Sequence, residues 1–473
     1  MKIPDSIQSA YDPETFRDQA HQLVDFLADQ LADSIADRSD QKTIKYSVPD
    51  QAIASAESLP GGNRFFEQVW QDCIRLHNPK FMGHQIMPPL PISAMAGFFS
   101  DMLNNGMGVY EMGIAGTAIE RTVIKQICQR LGFDPAADGI LTCGGSLANL
   151  TAMLAARSHC SKDNDWNQGT KKQLALMVSE QSHYCVDRAA RIMGWGESGV
   201  IKIPSDDQYR MRTELLEPAL EKAKSHGITP IAVVGSACST STGSFDDLEA
   251  IGEFCQNQKL WFHVDGAHGA ANAFSAKYKH LVKGIALADS VTLDFHKMLM
   301  TPAITSALLF RDGNQSYGSF SQNAEYLWGE SDSAEWFNLA KRTFECTKTM
   351  LSLKVFSIIA THGWEIFDAN VSRLNDLAKT FANKLTHSSD FDVAISPQTN
   401  IVCYRYSGGS PECSNQLNSQ IRQRLLEQGD FYIVQTVLDE TVWLRSAISN
   451  PLTEEKHFDQ LLDQIRRLAK ELQ

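Results

Sequence analysis

Between about residues 115 and 310 the chain alternates short, strongly apolar stretches with amphipathic helical stretches. "GILT" precedes "GGSLANLTAMLAAR", "LALMVS" precedes "YCVDRAARIMGW", and "PIAVVGSA" precedes "DDLEAIGEFCQNQ", with "LWFHVD" and "SVTLD" following. Strands that are apolar along their whole length must be covered on both faces, as in a sheet whose crossover helices lie on either side. The pattern therefore predicts an α/β fold with a central, mostly parallel sheet.

The regions on either side of this alternation have different patterns. Near the start, Asp12 and Pro13 form a helix start, and a single apolar stripe follows that a second subunit could cover. After a long helix that ends near Gly363, strands such as "NIVCYRY" and "TVWLRSA" alternate with helices. We therefore predict an N-terminal helical arm (1–75), a large domain (76–350) and a small C-terminal α+β domain (351–473).

Composition argues against several classes of partner. The chain has 43 Lys and Arg against 56 Asp and Glu, a net charge of −13, and no basic run, which disfavours nucleic acid and anionic membranes. The start lacks the apolar core of a signal peptide, and no apolar run is long enough to span a bilayer. Ten scattered cysteines without a CxxC pair indicate reduced thiols in a cytoplasmic protein.

Ligands of parallel sheets bind beyond the carboxyl ends of the strands, so the residues after each strand are the candidates. Residues 143–146, Cys-Gly-Gly-Ser, follow the first strand and open a helix. Small residues and free helical N–H groups suit a single phosphate, although a Gly-Gly pair also forms a plain turn. His183 follows the next strand, and a histidine in such a place is either a ligand-facing group or a structural one.

The remaining strand ends carry hydroxyl groups, acids and an amine. Thr240 lies in the hydroxyl-rich "CSTSTGS", Asp265 ends "WFHVD", and Asp294, His296 and Lys297 follow "SVTL". An anion cradle, an imidazole, a carboxylate and an amine together suit pyridoxal 5'-phosphate. The amine forms a Schiff base with its aldehyde, and the acid keeps its ring nitrogen protonated. The imidazole can lie on the ring, while the helix N-terminus takes the phosphate.

A metal-dependent hydrolase is the alternative from another class of enzyme. In "HVDGAH", His263 and Asp265 project from one face of a strand and His268 follows closely. With His183 or His296 these side chains could bind zinc or iron. Such a site gives no role to the amine of the "DFHK" segment or to the glycine-rich turn.

Four ordered segments resemble the group II pyridoxal-phosphate-dependent amino acid decarboxylases. They are "GILTCGGSLANLTAMLAAR", "SEQSHYCVDRAARIMGWG", "STSTGSFDDLEAIGEFCQNQKLWFHVDGAHG" and "SVTLDFHK", and the likeness runs from "LHNPKFMGHQ" to "LRSAISNPLTEE". The resemblance implies fold type I, the aspartate-aminotransferase type, with an N-terminal arm, a cofactor domain and a small C-terminal domain. It also implies a homodimer with active sites at the subunit interface and no metal ion.

The resemblance also implies a role for each matching residue. Lys297 would hold the coenzyme and, with His183, form the catalytic pair, while Asp265 would pair with the ring nitrogen. Ala267 would pack on one ring face and His183 on the other. The phosphate would be held by Gly145, Ser146 and His296, and the positions of Thr240 and Asp294 line the cofactor.

The expected reaction is decarboxylation of an L-amino acid to a primary amine and carbon dioxide. "SVTLDFHK" and the Asn338-Leu339 pair before "FECTK" look most like bacterial L-2,4-diaminobutyrate and lysine decarboxylases, and the acidic "GESDSAEW" is compatible with a basic substrate. We therefore expect a diamino acid such as L-2,4-diaminobutyrate. The alternatives are an acidic or aromatic amino acid, or a decarboxylation-dependent aldehyde synthase.

The chain departs from the family pattern at several positions. Leu147 stands where the family usually has Glu, and Thr347-Lys348-Thr349 replaces an Arg-containing stretch. Phe337 takes the place of a loop Tyr that protonates the substrate's α-carbon in the aromatic and glutamate branches, and Tyr326 matches another family position. Without that Tyr, slow protonation would let oxygen react at the α-carbon and give an aldehyde, ammonia and peroxide.

Overall fold

The computed structural model describes residues 2–38, 41–160, 165–320, 335–408 and 414–473 of the 473-residue chain. Its helices are α1 (Asp5–Ala10), α2 (Pro13–Ile35), α3 (Pro49–Glu57), α4 (Arg64–Asp72), α5 (Pro91–Leu103), α6 (Ile114–Arg130), α7 (Gly145–Cys160), α8 (Asp165–Gln168), α9 (Tyr184–Ile192), α10 (Leu216–Ser225), α11 (Leu248–Gln258), α12 (Phe295–Met298), α13 (Leu351–His362), α14 (Glu365–Thr386), α15 (Ser414–Gln428) and α16 (Glu455–Leu472). Its strands are β1 (Asp138–Thr142), β2 (Gln173–Ser179), β3 (Val200–Ile203), β4 (Ile228–Ser236), β5 (Trp261–Asp265), β6 (Ser290–Asp294), β7 (Ser306–Phe310), β8 (Phe391–Val393), β9 (Ile401–Tyr406), β10 (Val434–Leu438) and β11 (Thr441–Ala447).

A seven-stranded sheet has the order β1-β7-β6-β5-β4-β2-β3. The pairs β6–β5, β5–β4, β4–β2 and β2–β3 are parallel, and only β7 runs antiparallel to its neighbours β1 and β6. This topology confirms the predicted α/β fold with a mostly parallel sheet. Because the parallel strands share one direction, their carboxyl ends meet at one edge.

The sheet is buried on both faces, as the uniformly apolar strands predicted. Ile140 packs with α7 and α9 on one face, while its neighbour Leu141 packs with α6 and α13 on the other. Val234 and Val233 of β4 divide between the same two faces. Each fully buried side chain of this size contributes about 1.5–3 kcal/mol to folding, so the two apolar layers hold the strand ends in place.

Contacts group the chain into two compact units. The sheet unit comprises Gln85–Ala382 and Ile395–Val402, and the terminal unit comprises Met1–His84, Asn383–Ala394 and Cys403–Gln473. Helix α13 and most of α14 belong to the sheet unit. The predicted boundaries at residues 75 and 350 remain predictions.

The terminal unit joins segments from both ends of the sequence. His457 Nε2 lies 2.9 Å from Asp37 Oδ2, and Asn450 donates to the carbonyl groups of Leu76 and Asn78 at 3.0 Å. A four-stranded sheet of order β10-β11-β9-β8, with antiparallel β8–β9 and β10–β11 pairs, accompanies these contacts. The N-terminal helices and the C-terminal segment therefore fold as one unit.

Two further features concern the chain as a whole. Among the residues placed by the structure, no helix has both the length and the apolar character needed to cross a bilayer. The nine cysteines within the described ranges form no disulfide with one another.

Candidate active site

Five strand ends converge where the predicted site residues lie. β1 ends at Thr142, three residues before α7 begins, and β2 ends shortly before His183, the N-cap of α9. β4, β5 and β6 end at Ser236, Asp265 and Asp294. The short helix α12, which follows β6 directly, carries His296 and Lys297. The strand-end rule therefore located these residues correctly.

The side chains around these strand ends enclose a cavity of about 300 Å³. This volume lies at the lower end of the range of about 300–1,000 Å³ typical of small-molecule sites. The structure brings all nine predicted site residues to its wall: Gly145, Ser146, His183, Thr240, Asp265, Ala267, Asp294, His296 and Lys297. Their individual roles remain predictions.

Lys297 forms an ion pair with a buried carboxylate. Its Nζ lies 3.0 Å from Asp294 Oδ2, and Asp294 also accepts a hydrogen bond from Ser306 Oγ. Burial acts to lower the pKa of Lys297, but the charges of Asp294 and Asp265 outweigh it and raise that pKa above its ordinary value. The amine is therefore an ammonium ion at neutral pH and must lose a proton before it can attack a carbonyl group.

The turn before α7 brings backbone close to the site acids. Gly144 has φ +105°, which favours glycine, and a Cβ on Gly145 would lie 3.0 Å from Asp294 Oδ1 and 3.3 Å from Ala267 Cβ. The first N–H groups of α7 have no partner inside the helix, as at any helix N-terminus. The bare Cα of Gly145 lets the first turn of α7 pack closely on Asp294 and Ala267, which places this helix N-terminus at the cavity wall, where an anion could accept from its N–H groups.

His183 is held as a neutral imidazole. Its Nδ1 accepts a hydrogen bond from the backbone N–H of Cys185 at 3.3 Å. Burial lowers the pKa of His183; the carboxylate of Asp265 opposes this shift and the amine of Lys297 adds to it. With Nδ1 as the acceptor, the proton of the neutral ring resides on Nε2, so His183 is a hydrogen-bond donor at that atom.

Asp265 is the last residue of β5 and is 9% exposed. It lies in register with Ser236 of β4 and Thr292 of β6, and its Oδ1 accepts from the N–H of Ala267 at 3.3 Å. Its charge acts on both His183 and Lys297. A carboxylate in this position can pair with a protonated ring nitrogen.

Sequence reasoning missed several residues of the cavity wall. These are Asn149, Cys185, Ser236, Cys238 and Ile304, while Cys143 and Gly144 of the predicted turn and His268, a candidate metal ligand, also line the wall. Asn149 had a usable signal, because it lies four residues after Gly145 and therefore on the same face of α7. The others are recognised only once the loops after β1, β2, β4 and β5 are placed.

The histidines of "HVDGAH" are engaged by protein groups. The two ring nitrogens of His263 lie 2.8 Å from Ser290 Oγ and 3.0 Å from Asn149 Oδ1, and burial lowers its pKa to about 4. His268 Nε2 lies 2.7 Å from Asn400 Oδ1. Within the described part of the chain, no three His, Cys, Asp or Glu side chains are grouped to bind a metal ion. The arrangement gives the hydrolase alternative no ligand set there.

The residues that depart from the family pattern lie in different parts of the structure. The ring of Phe337 lies 5.4 Å from that of Tyr110. Lys348 Nζ lies 2.6 Å from Glu120 Oε1 and 2.6 Å from the carbonyl oxygen of Leu141, so it forms a buried ion pair beside β1. Tyr326 and most of "GESDSAEW" lie outside the described residues.

The cavity fits pyridoxal 5'-phosphate. Lys297 offers the amine and Asp265 the carboxylate, while the glycine cradle at α7 offers the free N–H groups that a phosphate requires. Ala267 is small, so it leaves room for a flat ring. Gly145 packs closely on Asp294 and Ala267, so the start of α7 lies directly beside the carboxylate end of the cavity.

Comparison with known proteins agrees with this fit. Residues 65–407 match the family model described as the pyridoxal-dependent decarboxylase conserved domain. The chain is 29% identical over 389 residues to the L-aspartate decarboxylase dtxS4 of Metarhizium robertsii, covering 82% of this chain and 77% of that protein. It is 28% identical over 398 residues to the L-2,4-diaminobutyrate decarboxylase of Rhizobium meliloti, covering 84% and 79%.

A solved structure shares the fold. The crystal structure of mouse CSAD superposes with a TM-score of 0.90 at 23% identity, over 97% of this chain and 99% of that one. At this identity the likeness concerns the fold alone.

Proposed function

This chain belongs to the pyridoxal-dependent decarboxylase family, and we propose that it converts an L-amino acid to the primary amine and carbon dioxide, with a diamino acid such as L-2,4-diaminobutyrate as substrate. It is a carboxy-lyase that uses pyridoxal 5'-phosphate. One observation carries the proposal: the amine of Lys297, the carboxylate of Asp265 and the N-terminus of α7 surround one cavity.

Pyridoxal 5'-phosphate, when bound, supplies an electron-accepting ring that stabilises the charge left at the α-carbon as carbon dioxide departs. Lys297 would hold its aldehyde carbon and Asp265 its ring nitrogen. The N–H groups of Gly145 and Ser146, together with His296, would hold its phosphate.

The chain's own groups control protons at this site. The ammonium group of Lys297 donates to Asp294 Oδ2, and this carboxylate holds the proton on the amine until the coenzyme is loaded. His183, neutral and protonated at Nε2, adds a donor to the wall without adding a positive charge. Because both groups are held by neighbouring residues, their orientation needs little reorganisation on binding.

The substrate proposal is supported by residues that resemble the diamino acid branch. These are "SVTLDFHK", which supplies Asp294 and Lys297, and the Asn338-Leu339 pair. The relatives named for aspartate and for L-2,4-diaminobutyrate have nearly equal identity, 29% and 28%, so identity does not choose between them. The described acid of "GESDSAEW", Glu335, forms an ion pair with Lys341 at 2.8 Å and gives a basic substrate no support.

A homodimer is part of the proposal. Helix α5 turns its small residues Ser93, Ala96, Gly97 and Ser100 inward. Its large apolar residues are exposed: Met95, Phe98, Phe99, Met102 and Leu103. Such an exposed apolar face on a helix is typical of a protein interface, and we assign it to a second copy of this chain.

A panel assay tests the function. Purified protein loaded with pyridoxal 5'-phosphate is given 2,4-diaminobutyrate, lysine, ornithine, aspartate, glutamate or an aromatic amino acid, and released carbon dioxide and amine are measured. We expect equimolar products and the highest kcat/KM for 2,4-diaminobutyrate. A higher kcat/KM for aspartate would overturn the substrate but keep the reaction. No carbon dioxide from any of them would overturn the function.

A further inference from the structure

One buried amide joins four elements of the active-site wall. Asn149 of α7 lines the cavity and is 1% exposed. Its Oδ1 lies 3.0 Å from His263 Nε2 on β5 and 2.6 Å from Thr292 Oγ1 on β6. Its Nδ2 donates to Cys185 Sγ on α9 at 3.1 Å. The side chain therefore ties α7 to β5, β6 and α9 at once.

The two residues on the strands stand beside the site acids. His263 is two residues before Asp265 on β5, and Thr292 is two residues before Asp294 on β6. Side chains two apart on a strand project from the same face. The oxygen of Asn149 is thus bonded to each strand two residues before its carboxylate.

The hydrogen bond to Cys185 connects Asn149 to His183. The backbone N–H of Cys185 donates to His183 Nδ1, while its sulfur accepts from Asn149. Burial raises the pKa of Cys185 to about 12, so the group remains a neutral thiol. Asn149 therefore fixes the residue that orients the imidazole of His183.

The network continues from His263 to Ser290 and Trp261. Trp261 Nε1 donates to Ser290 Oγ at 2.9 Å, and Ser290 Oγ lies 2.8 Å from His263 Nδ1. Since burial keeps His263 neutral, Ser290 donates to Nδ1 and Nε2–H donates to Asn149. A buried chain in which each donor has one acceptor is costly to rearrange, because any break leaves an unpaired polar group.

We propose that Asn149 is a positioning residue, whose amide sets the spacing between the carboxylates of Asp265 and Asp294 and the imidazole of His183, and so fixes the walls that hold the coenzyme. This inference rests on the proposed function. It assigns Asn149 no contact with the reacting atoms.

Asn149→Leu tests the proposal, because leucine has a similar volume but can neither donate nor accept. Loss of the network is worth about 1.4 kcal/mol or more, so the dissociation constant of pyridoxal 5'-phosphate should rise about tenfold or more. The pKa of His183 should rise, because the N–H that favours its neutral ring is displaced. The charges that face His183, on Asp265, Lys297, Asp294 and Arg188, are unchanged.

Both readouts are measured without substrate. Coenzyme affinity is measured by equilibrium titration, and the His183 pKa by ¹³C NMR of the coenzyme-free protein, with His183→Gln to assign the signal. The control is Asn418→Leu, which removes an equally buried amide that bonds both backbone groups of Tyr406. It should lower stability to urea but leave both readouts unchanged.

Smaller substitutions serve if Asn149→Leu does not fold. Thr292→Val removes one donor and should weaken coenzyme binding, whereas Cys185→Ala should raise the pKa of His183 and Cys185→Ser should restore it. Wild-type coenzyme affinity and an unshifted His183 in Asn149→Leu, or in both Thr292→Val and Cys185→Ala, would overturn the proposal. A panel assay without carbon dioxide release would instead overturn the proposed function and leave these readouts standing.

Discussion

Lys297 and Asp294 form an ion pair of 3.0 Å in which the carboxylate side chain is only 2% exposed. The carboxylates of Asp294 and Asp265 keep the amine protonated against the effect of burial. The residue that would hold the coenzyme is therefore charged before the coenzyme arrives.

Replacing Asp294 by Asn should lower the pKa of Lys297, because one of the two negative charges that raise it is removed. A larger fraction of the amine is then unprotonated at neutral pH, and pyridoxal 5'-phosphate should load several-fold faster. Stopped-flow absorbance across pH 6–9 measures this change. Asp459→Asn, which removes an ion pair with Lys384, is the matched control. An unchanged pH dependence of loading in Asp294→Asn would refute the electrostatic argument.

Gly145→Ala should weaken coenzyme binding at least tenfold, since its Cβ would lie 3.0 Å from Asp294 Oδ1 and narrow the cradle. Equilibrium titration with pyridoxal 5'-phosphate measures the effect. Gly61→Ala is a suitable control, because a Cβ there meets no atom within 4 Å. Equal affinity in the two variants would mean that the turn before α7 is not an anion site.

Stability should depend on pH through His263. Burial lowers its pKa to about 4 in the folded protein, below the ordinary value of 6.5, so the unfolded chain binds the proton first. The contribution of His263 to the free energy of unfolding is fully present above pH 6.5. It is lost as the pH falls from 6.5 to 4, which lowers the free energy of unfolding by about 3 kcal/mol. Urea unfolding of the wild-type protein and of His263→Gln between pH 4 and 7.5 measures this contribution as the difference between their pH profiles. Parallel pH profiles for the two proteins would contradict it.

The presence of Phe337 in place of a Tyr raises the question whether the product is the amine or an aldehyde. We expect amine and carbon dioxide in a 1:1 ratio without peroxide during turnover, since decarboxylation to the amine is the proposed reaction. A peroxidase-coupled assay in air, repeated without oxygen, provides the measurement. Peroxide equal to the carbon dioxide released would instead indicate the aldehyde synthase alternative, and Phe337→Tyr should then suppress it.

The strand ends made the site predictable to a large extent. Lys297 and His183 follow apolar strands and Asp265 ends one, so local sequence alone located them at one edge of the sheet. Helical spacing could have placed Asn149 at the cavity, but not its hydrogen bonds, because its partners His263 and Thr292 lie 114 and 143 residues away. The same distance made His263 a candidate metal ligand, although both of its nitrogens are engaged within the core.

The division into two compact units could not be predicted from local sequence patterns, because each unit joins segments that are far apart in the chain. The contact between Asp37 and His457 spans 420 residues, and both residues lie in exposed-looking amphipathic helices or their ends. Helical periodicity showed that the N-terminal helices needed a covering surface. The periodicity did not indicate which segment of the same chain supplies part of that covering surface.

Borohydride trapping followed by peptide mass spectrometry tests the central claim most directly. The protein is loaded with pyridoxal 5'-phosphate, reduced and digested, and the modified lysine is identified, with Lys297→Ala as the control. We predict a phosphopyridoxyl group on Lys297, and neither this label nor carbon dioxide release in the variant. A label on another lysine, or a Lys297→Ala protein that still releases carbon dioxide, would contradict the account.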